Sequence, residues 1–105
     1  MPSFRKELAT VVANTTKAQN TDLFADDFRL KHPGDLLRIT IQASANITAL
    51  KLVPNTGTAI GLGGLTASVQ TTFTLAVDHG RTWNIQTADA GGITVHHCVV
   101  QEVNE

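Results

Sequence analysis

The side chains best suited to bind a metal lie near one end of the chain, where His96, His97 and Cys98 follow one another. Imidazole and thiolate groups are ligands that zinc prefers. On a strand, however, His96 and Cys98 would share one face and His97 would lie on the other. A tetrahedral site needs further ligands, and neither His32 nor His79 stands at a spacing typical of zinc sites. We therefore predict no metal site and no cofactor, with a ring of histidines around a symmetry axis between subunits as the second interpretation.

The residue types of nucleophilic catalysis are also present, but no local pattern brings them together. A serine or cysteine nucleophile needs a histidine and a carboxylate beside it, and the residues available are Ser68, Cys98, His79 and Asp78. Asp78 and His79 precede a glycine in what has the composition of a hairpin turn. The adjacent carboxylates Asp26 and Asp27 would point to opposite faces of a strand and could not share a proton. We predict that the chain is not an enzyme.

Two features could bind a ligand without catalysis. The stretch Gly57–Gly64 is rich in glycine, yet it lacks the phosphate-binding patterns and predicts a flexible loop between strands that could contact a partner. An exposed Trp83 would suit a sugar ring, whereas its alternation with Ile85 predicts a place in the core. A carbohydrate- or receptor-binding module that uses Gly57–Gly64 and Trp83 is the alternative function.

The elements that must position these residues show a period of two from Asp22 onward, which predicts strands with one buried face. Phe24, Phe28 and Leu30 mark a first strand, and the others fall at residues 37–43, 48–52, 69–77, 81–87 and 93–103. No helical segment is available to cover a parallel sheet. We predict an all-β fold, an antiparallel β-sandwich or jelly roll of six to seven strands with an N-terminal arm or short helix.

Residues 1–21 differ from the rest and predict an arm, with residues 22–105 as the β-sandwich domain. Four apolar residues at helical spacing favour a short amphipathic helix: Phe4, Leu8, Val11 and Val12. A helix of about ten residues is marginal in water and must dock on something. We predict that these four side chains are assembly contacts with a neighbouring subunit.

The charges limit the partners. Lysine and arginine number 8 and aspartate and glutamate 9, so the net charge of −1 leaves no excess to neutralise phosphates, and we expect no direct nucleic-acid partner. Apolar runs are far shorter than the roughly 20 residues that cross a bilayer, and no secretion signal is evident, so we expect no membrane partner and synthesis in the cytoplasm.

Most of the charged residues lie within residues 1–38, and the remainder of the chain holds only Lys51, Asp78, Arg81, Asp89, Glu102 and Glu105. A small monomer normally carries about 25% charged residues or more on its surface. Uncharged Thr, Ala, Asn and Gln in their place predict a surface that contacts copies of the chain, although a weakly charged monomer with solvated strands is the second interpretation.

The stretch from Val69 to Thr87, followed by a Gly-Gly loop and Ile93-Thr94-Val95, resembles the small β-sandwich virion proteins of tailed bacteriophages. Capsid decoration (cement) proteins and tail or fibre accessory proteins have such a Thr/Ala-rich strand, turn, aromatic-bearing strand and Val-rich strand. The resemblance covers residues 36–103. It implies a homo-oligomer, often a trimer, that acts as a structural assembly protein in the virion and contacts copies of itself and other virion proteins.

Overall fold

Every regular element in the computed structural model, which describes residues 3–11 and 14–104, is a β-strand. The eight strands are β1 (Ser3–Val11), β2 (Thr15–Lys17), β3 (Leu36–Ala43), β4 (Ile47–Pro54), β5 (Ile60–Leu65), β6 (Thr71–Ala76), β7 (Trp83–Thr87) and β8 (Ile93–Asn104). They form two antiparallel sheets, one of five strands and one of three. The predicted all-β sandwich is therefore confirmed.

The larger sheet has the order β1-β8-β3-β6, with β2 pairing the same edge of β8 beyond the end of β1. The smaller sheet has the order β5-β4-β7. In β3, the inward residues Leu37, Ile39 and Ile41 are completely buried, and the residues between them are half-buried. Burial of one such side chain contributes about 1.5–3 kcal/mol, so the inner faces of the two sheets hold the sandwich together.

Residues 22–30 do not form the predicted first strand. Phe24 and Phe28 are buried and their rings meet edge to face, with centroids 5.8 Å apart. Only one bridge forms, in which the backbone groups of Phe28 and Trp83 exchange hydrogen bonds of 2.9 and 2.7 Å. The Asn84 side chain binds the backbone N–H and carbonyl of Phe24 at 3.1 and 2.9 Å, so a side chain takes the place of the next ladder pair. The segment is an irregular cover beside β7.

The N-terminal segment is extended, not helical. β1 pairs with β8, and register shifts between Phe4 and Lys6 and between Glu7 and Ala9 mark β-bulges. Each bulge adds a residue and interrupts the alternation of side chains between the two faces. Apolar residues three or four positions apart can therefore lie on a strand as well as on a helix. The unpaired N–H and C=O groups along the edge of β8 offer this segment more hydrogen bonds than a short isolated helix has. The division into an arm and a sandwich domain stays a prediction, with β1 and β2 lying on the sandwich's own sheet.

The glycine-rich stretch is also more regular than predicted, because Ile60–Leu65 is strand β5. Its pairing with β4 shifts register around Gly63, which has φ of +100°. A Cβ at Gly64 would lie 2.9 Å from the carbonyl oxygen of Ile47, so the two strands approach more closely than a side chain would permit. Here glycine marks a bulge and a close approach within a strand.

Candidate functional site

On one lateral side of the sandwich, two edge strands have no further described strand beside them. β5 and β6 end their respective sheets and are joined by residues 66–70, which places both edges on the same side. In the described part of the chain, β5 pairs only with β4 and β6 only with β3. Five half-buried apolar side chains lie along these edges and pack against the core: Ile60, Leu62, Phe73, Leu75 and Val77. We call this surface, residues 60–77, the open side.

The open side carries no charge. No Asp, Glu, Lys, Arg or His occurs in residues 52–77, and Val69, in the turn between β5 and β6, is 49% exposed. Soluble monomers usually protect a sheet edge with lysine, proline, inward charges or a covering segment, since a bare edge pairs with other chains. β6 has none of the first three, and its outer residues Thr72, Thr74 and Ala76 are exposed.

On the opposite lateral side the edge of β7 is covered, whereas β1 ends the larger sheet as a bulged strand that carries the charges of Arg5, Lys6 and Glu7. Residues 20–28 lie along β7 through hydrogen bonds such as Leu23 N–H to Ile85 carbonyl at 2.8 Å. β1 lies above this segment, and a cleft of about 250 Å³ between them is lined by residues 8–10 and 24–27. The Thr10 hydroxyl beside it is buried without a hydrogen-bond partner in the described residues. Packing is incomplete here, but the edge of β7 is not open.

An apolar row crosses the outer face of the larger sheet at one end. Phe4 and Leu36 flank Val103 in the register, and Ala76 lies beside Leu36. Val103 is completely buried although it does not belong to the core cluster. Phe4 is 57% exposed and is the most exposed large apolar side chain in the described ranges. This row continues to the end of β6 and adjoins the open side.

The residues predicted as assembly contacts have different surroundings. Phe4 lies in the exposed apolar row, whereas Leu8 and Val11 are half-buried and pack against the chain's own core. Val12 lies outside the described residues. Their role as contacts with a neighbour stays a prediction, and the geometry leaves Phe4 as the one of the three described side chains with most surface to offer.

An ionic cluster fixes β1 to the end of the sandwich. Arg5 donates to Asp35 at 2.5 Å, and Glu102, completely buried, accepts the N–H groups of Lys31 and His32 at 3.1 and 2.9 Å. The His32 ring lies 3.1 Å from the same carboxylate. The hydrogen bond from Arg5 lowers the pKa of Asp35. A carboxylate pair at this depth is stabilised by a cation and by backbone donors.

This cluster includes three potential metal ligands, His32, Asp35 and Glu102, whose ligand atoms lie within 4.8 Å of one another. The Arg5 guanidinium already neutralises Asp35, and backbone N–H groups bind Glu102, so both carboxylates have partners from the chain itself. The cluster is therefore explained as the ion pair that fixes β1 to the end of the sandwich. Sequence reasoning missed it because its members come from distant segments. The available signal was Glu102 itself, an acidic residue in phase with buried Cys98 and Val100.

The three residues first considered as zinc ligands do not converge. His96 is an extra residue at a bulge, since Gln42 pairs with His97 and Ala43 with Val95. Its ring binds the Asn14 side chain at 2.8 Å. Cys98 lies in the core, where burial raises the pKa of its thiol to about 12. The predicted sharing of a face by His96 and Cys98 is wrong, because the bulge interrupts the alternation.

The other candidates have structural roles. Trp83 is 3% exposed and its indole N–H lies 3.3 Å from the Asp78 carbonyl oxygen, which confirms its predicted place in the core. The Asp78 carboxylate accepts the Gly80 N–H at 2.8 Å and holds its own turn. Asp27 accepts from the Asn84 side chain at 2.9 Å.

Comparison of the chain with protein-family models, with curated proteins and with solved structures finds no match. Within the described residues there is also no helix with the length and apolarity to cross a membrane.

Proposed function

We propose that this chain is a structural assembly protein that acts by packing against copies of itself. The observation that carries the proposal is the open side, where two sheet edges and the turn between them expose backbone groups and apolar side chains without a single charge. Covering this uncharged edge would remove the half-buried side chains of Phe73 and Leu75 from water and would pair its free backbone groups. Both changes favour association with another chain.

The kind of particle rests on the resemblance to phage virion proteins. On that basis the proposal extends to a component of a phage or virus particle, in a capsid-decoration or tail-accessory position, located in the virion and in contact with other virion proteins. The mechanism needs no cofactor. Repeated contacts between uncharged β surfaces convert modest single affinities into a stable assembly.

The carbohydrate-binding alternative loses its stacking platform. The indole of Trp83 is buried, and half of the glycine-rich stretch is a paired strand rather than a free loop. No other observation on the described residues favours that function.

Light scattering across a dilution series of the full chain tests the proposal. We expect a mass well above the 11.2 kDa of one chain that persists on dilution through the micromolar range. High salt should leave this mass unchanged or raise it, since the contacts are apolar and backbone-mediated rather than ionic. A single-chain mass at the highest concentration would contradict the proposal.

A further inference from the structure

The open side has two edges, and they differ in how well they could accept another strand. β5 contains three glycines, a bulge and a positive φ at Gly63, so its backbone donors and acceptors are not evenly spaced. β6 pairs with β3 over Thr71–Ala76 without any register shift. Threonine and phenylalanine, which favour strands, make up most of it. Regular β6 is the edge suited to continuing the ladder.

Resting on the proposed assembly function, we infer that β6 pairs antiparallel with β6 of a second copy. The two larger sheets then join across a two-fold axis into one continuous sheet. An isologous contact places every side chain near its own counterpart, so any charge at the axis would face a like charge. β6 and its flanking residues have no charge, which makes this edge compatible with itself.

The alternation along β6 restricts the register of this pairing. Thr71, Phe73 and Leu75 face inward and Thr72 and Thr74 face outward. Residues directly opposite in an antiparallel pair point to the same face. For both cores to lie on the same side of the joined sheet, inward residues must oppose inward residues.

Pairings about a two-fold axis that satisfy this condition near the middle of β6 are centred on Phe73 or on Thr74. The first opposes Thr72 with Thr74 of the other copy, and the second opposes the two copies of Thr74. In both, the Phe73 and Leu75 side chains of the two copies come together below the sheet, where they cover apolar surface that one copy leaves half-buried.

A charge placed on the outer face of β6 tests the inference. Thr74→Lys puts two ammonium groups beside the axis in either register. The side chain is exposed in one copy and lies opposite Arg38 of its own chain, so the variant should fold with a modest loss of stability of its own. Thr21→Lys is the matched control, because it makes the same change at an exposed position beside the covered edge of β7. Far-ultraviolet circular dichroism of the two variants should agree with that of the unmodified chain, whereas Thr74→Lys should melt at a lower temperature, because assembly no longer stabilises its folded state.

Sedimentation velocity then separates the outcomes. We expect Thr74→Lys to raise the dissociation constant of the two-fold contact about 100-fold or more and at least to halve the assembly mass, while Thr21→Lys leaves both unchanged. If the unmodified chain assembles and Thr74→Lys assembles equally well, the β6 pairing is refuted and the assembly function survives. If the unmodified chain is a monomer, both fail.

A second variant gives a positive signal. In the double variant Thr72→Cys/Thr74→Cys, a cysteine of one copy lies opposite a cysteine of the other in both registers, and the natural Cys98 is buried. Mild oxidation should give a covalent dimer in high yield, and Thr21→Cys should not. A similar yield from both variants would show that the cross-link reports random collision and would overturn the pairing.

Discussion

Replacing Glu102 with leucine removes the acceptor on which two inward-pointing backbone donors depend. The carboxylate is completely buried and accepts the N–H groups of Lys31 and His32 at 3.1 and 2.9 Å. Leucine has a similar size but accepts no hydrogen bond. An unsatisfied buried donor costs about 1–3 kcal/mol; because Lys31 and His32 are exposed residues and their hydrogen bonds are only partly buried, we expect the two together to cost about 2–3 kcal/mol of the free energy of unfolding. That is a large part of the about 5–15 kcal/mol that stabilises a small domain.

Glutamine at the same position separates the charge of the side chain from its capacity to accept hydrogen bonds. An amide oxygen in the place of Oε2 can accept both N–H groups, at 3.2 and 2.9 Å, so we expect Glu102→Gln to cost less than Glu102→Leu, about 1 kcal/mol for the loss of charge assistance. Glu7→Gln is the control, because Glu7 is exposed on β1, and should change stability by less than about 0.5 kcal/mol. Urea denaturation at one fixed protein concentration measures all three. A Glu102→Leu variant as stable as the unmodified chain would refute the role given to this carboxylate.

Three further predictions concern other contacts. Gly92→Ala should destabilise the chain by about 1–3 kcal/mol in chemical denaturation, since φ is +73° and a Cβ would clash with the Lys17 carbonyl oxygen, whereas Gly91→Ala, with no atom within 4 Å, should be neutral. Hydrogen bonding, first from the Thr48 N–H, lowers the pKa of Asp89 from 3.8 to about 2. The stabilisation is therefore complete above about pH 5 and is lost as the pH falls through the folded-state value, so thermal melts of unmodified and Asp89→Asn protein should converge at the acid end of this range, and a constant difference would count against it. Trp83 should resist iodide quenching in the folded state, and sugar-dependent quenching would restore the carbohydrate alternative.

The parts of the fold that alternation predicted are those in which one strand face meets the core. β3, β4, β6, β7 and β8 all lie where the period of two placed them, within a few residues at each end. In β3 the inward and outward sets match the sequence pattern residue by residue. For such strands the alternation of apolar and polar residues identifies the buried face, so the local sequence was sufficient to predict the strand.

The misses share a different cause, which is that non-local partners decided the local structure. In residues 22–30 the side chain of Asn84 binds backbone groups that would otherwise pair with a neighbouring strand. β1 is extended because it pairs with the edge of β8. β5 is a strand despite its glycines, because Ile60 and Leu62 reach the core and Gly64 permits a close approach to β4. None of these pairings can be read from the segment alone.

For the candidate site, the sequence showed that residues 52–77 are uncharged but not that they include two sheet edges on one side. Which strand is at an edge depends on the strand order, to which β1 and β2 contribute by covering β8. The predicted arm therefore matters in a different way, because β1 covers the edge of β8 and becomes the end of the larger sheet opposite β6.

Amide hydrogen exchange, followed by mass spectrometry at protein concentrations below and above the one at which the assembly dissociates, tests most directly whether the open side is covered by another copy. Peptides that contain β6 should exchange markedly more slowly at high concentration, because their outward N–H groups then enter hydrogen bonds between chains. Peptides from β4, which is already paired on both sides, should not change. Equal exchange of β6 at both concentrations, at the rate of an unpaired edge, would contradict the account.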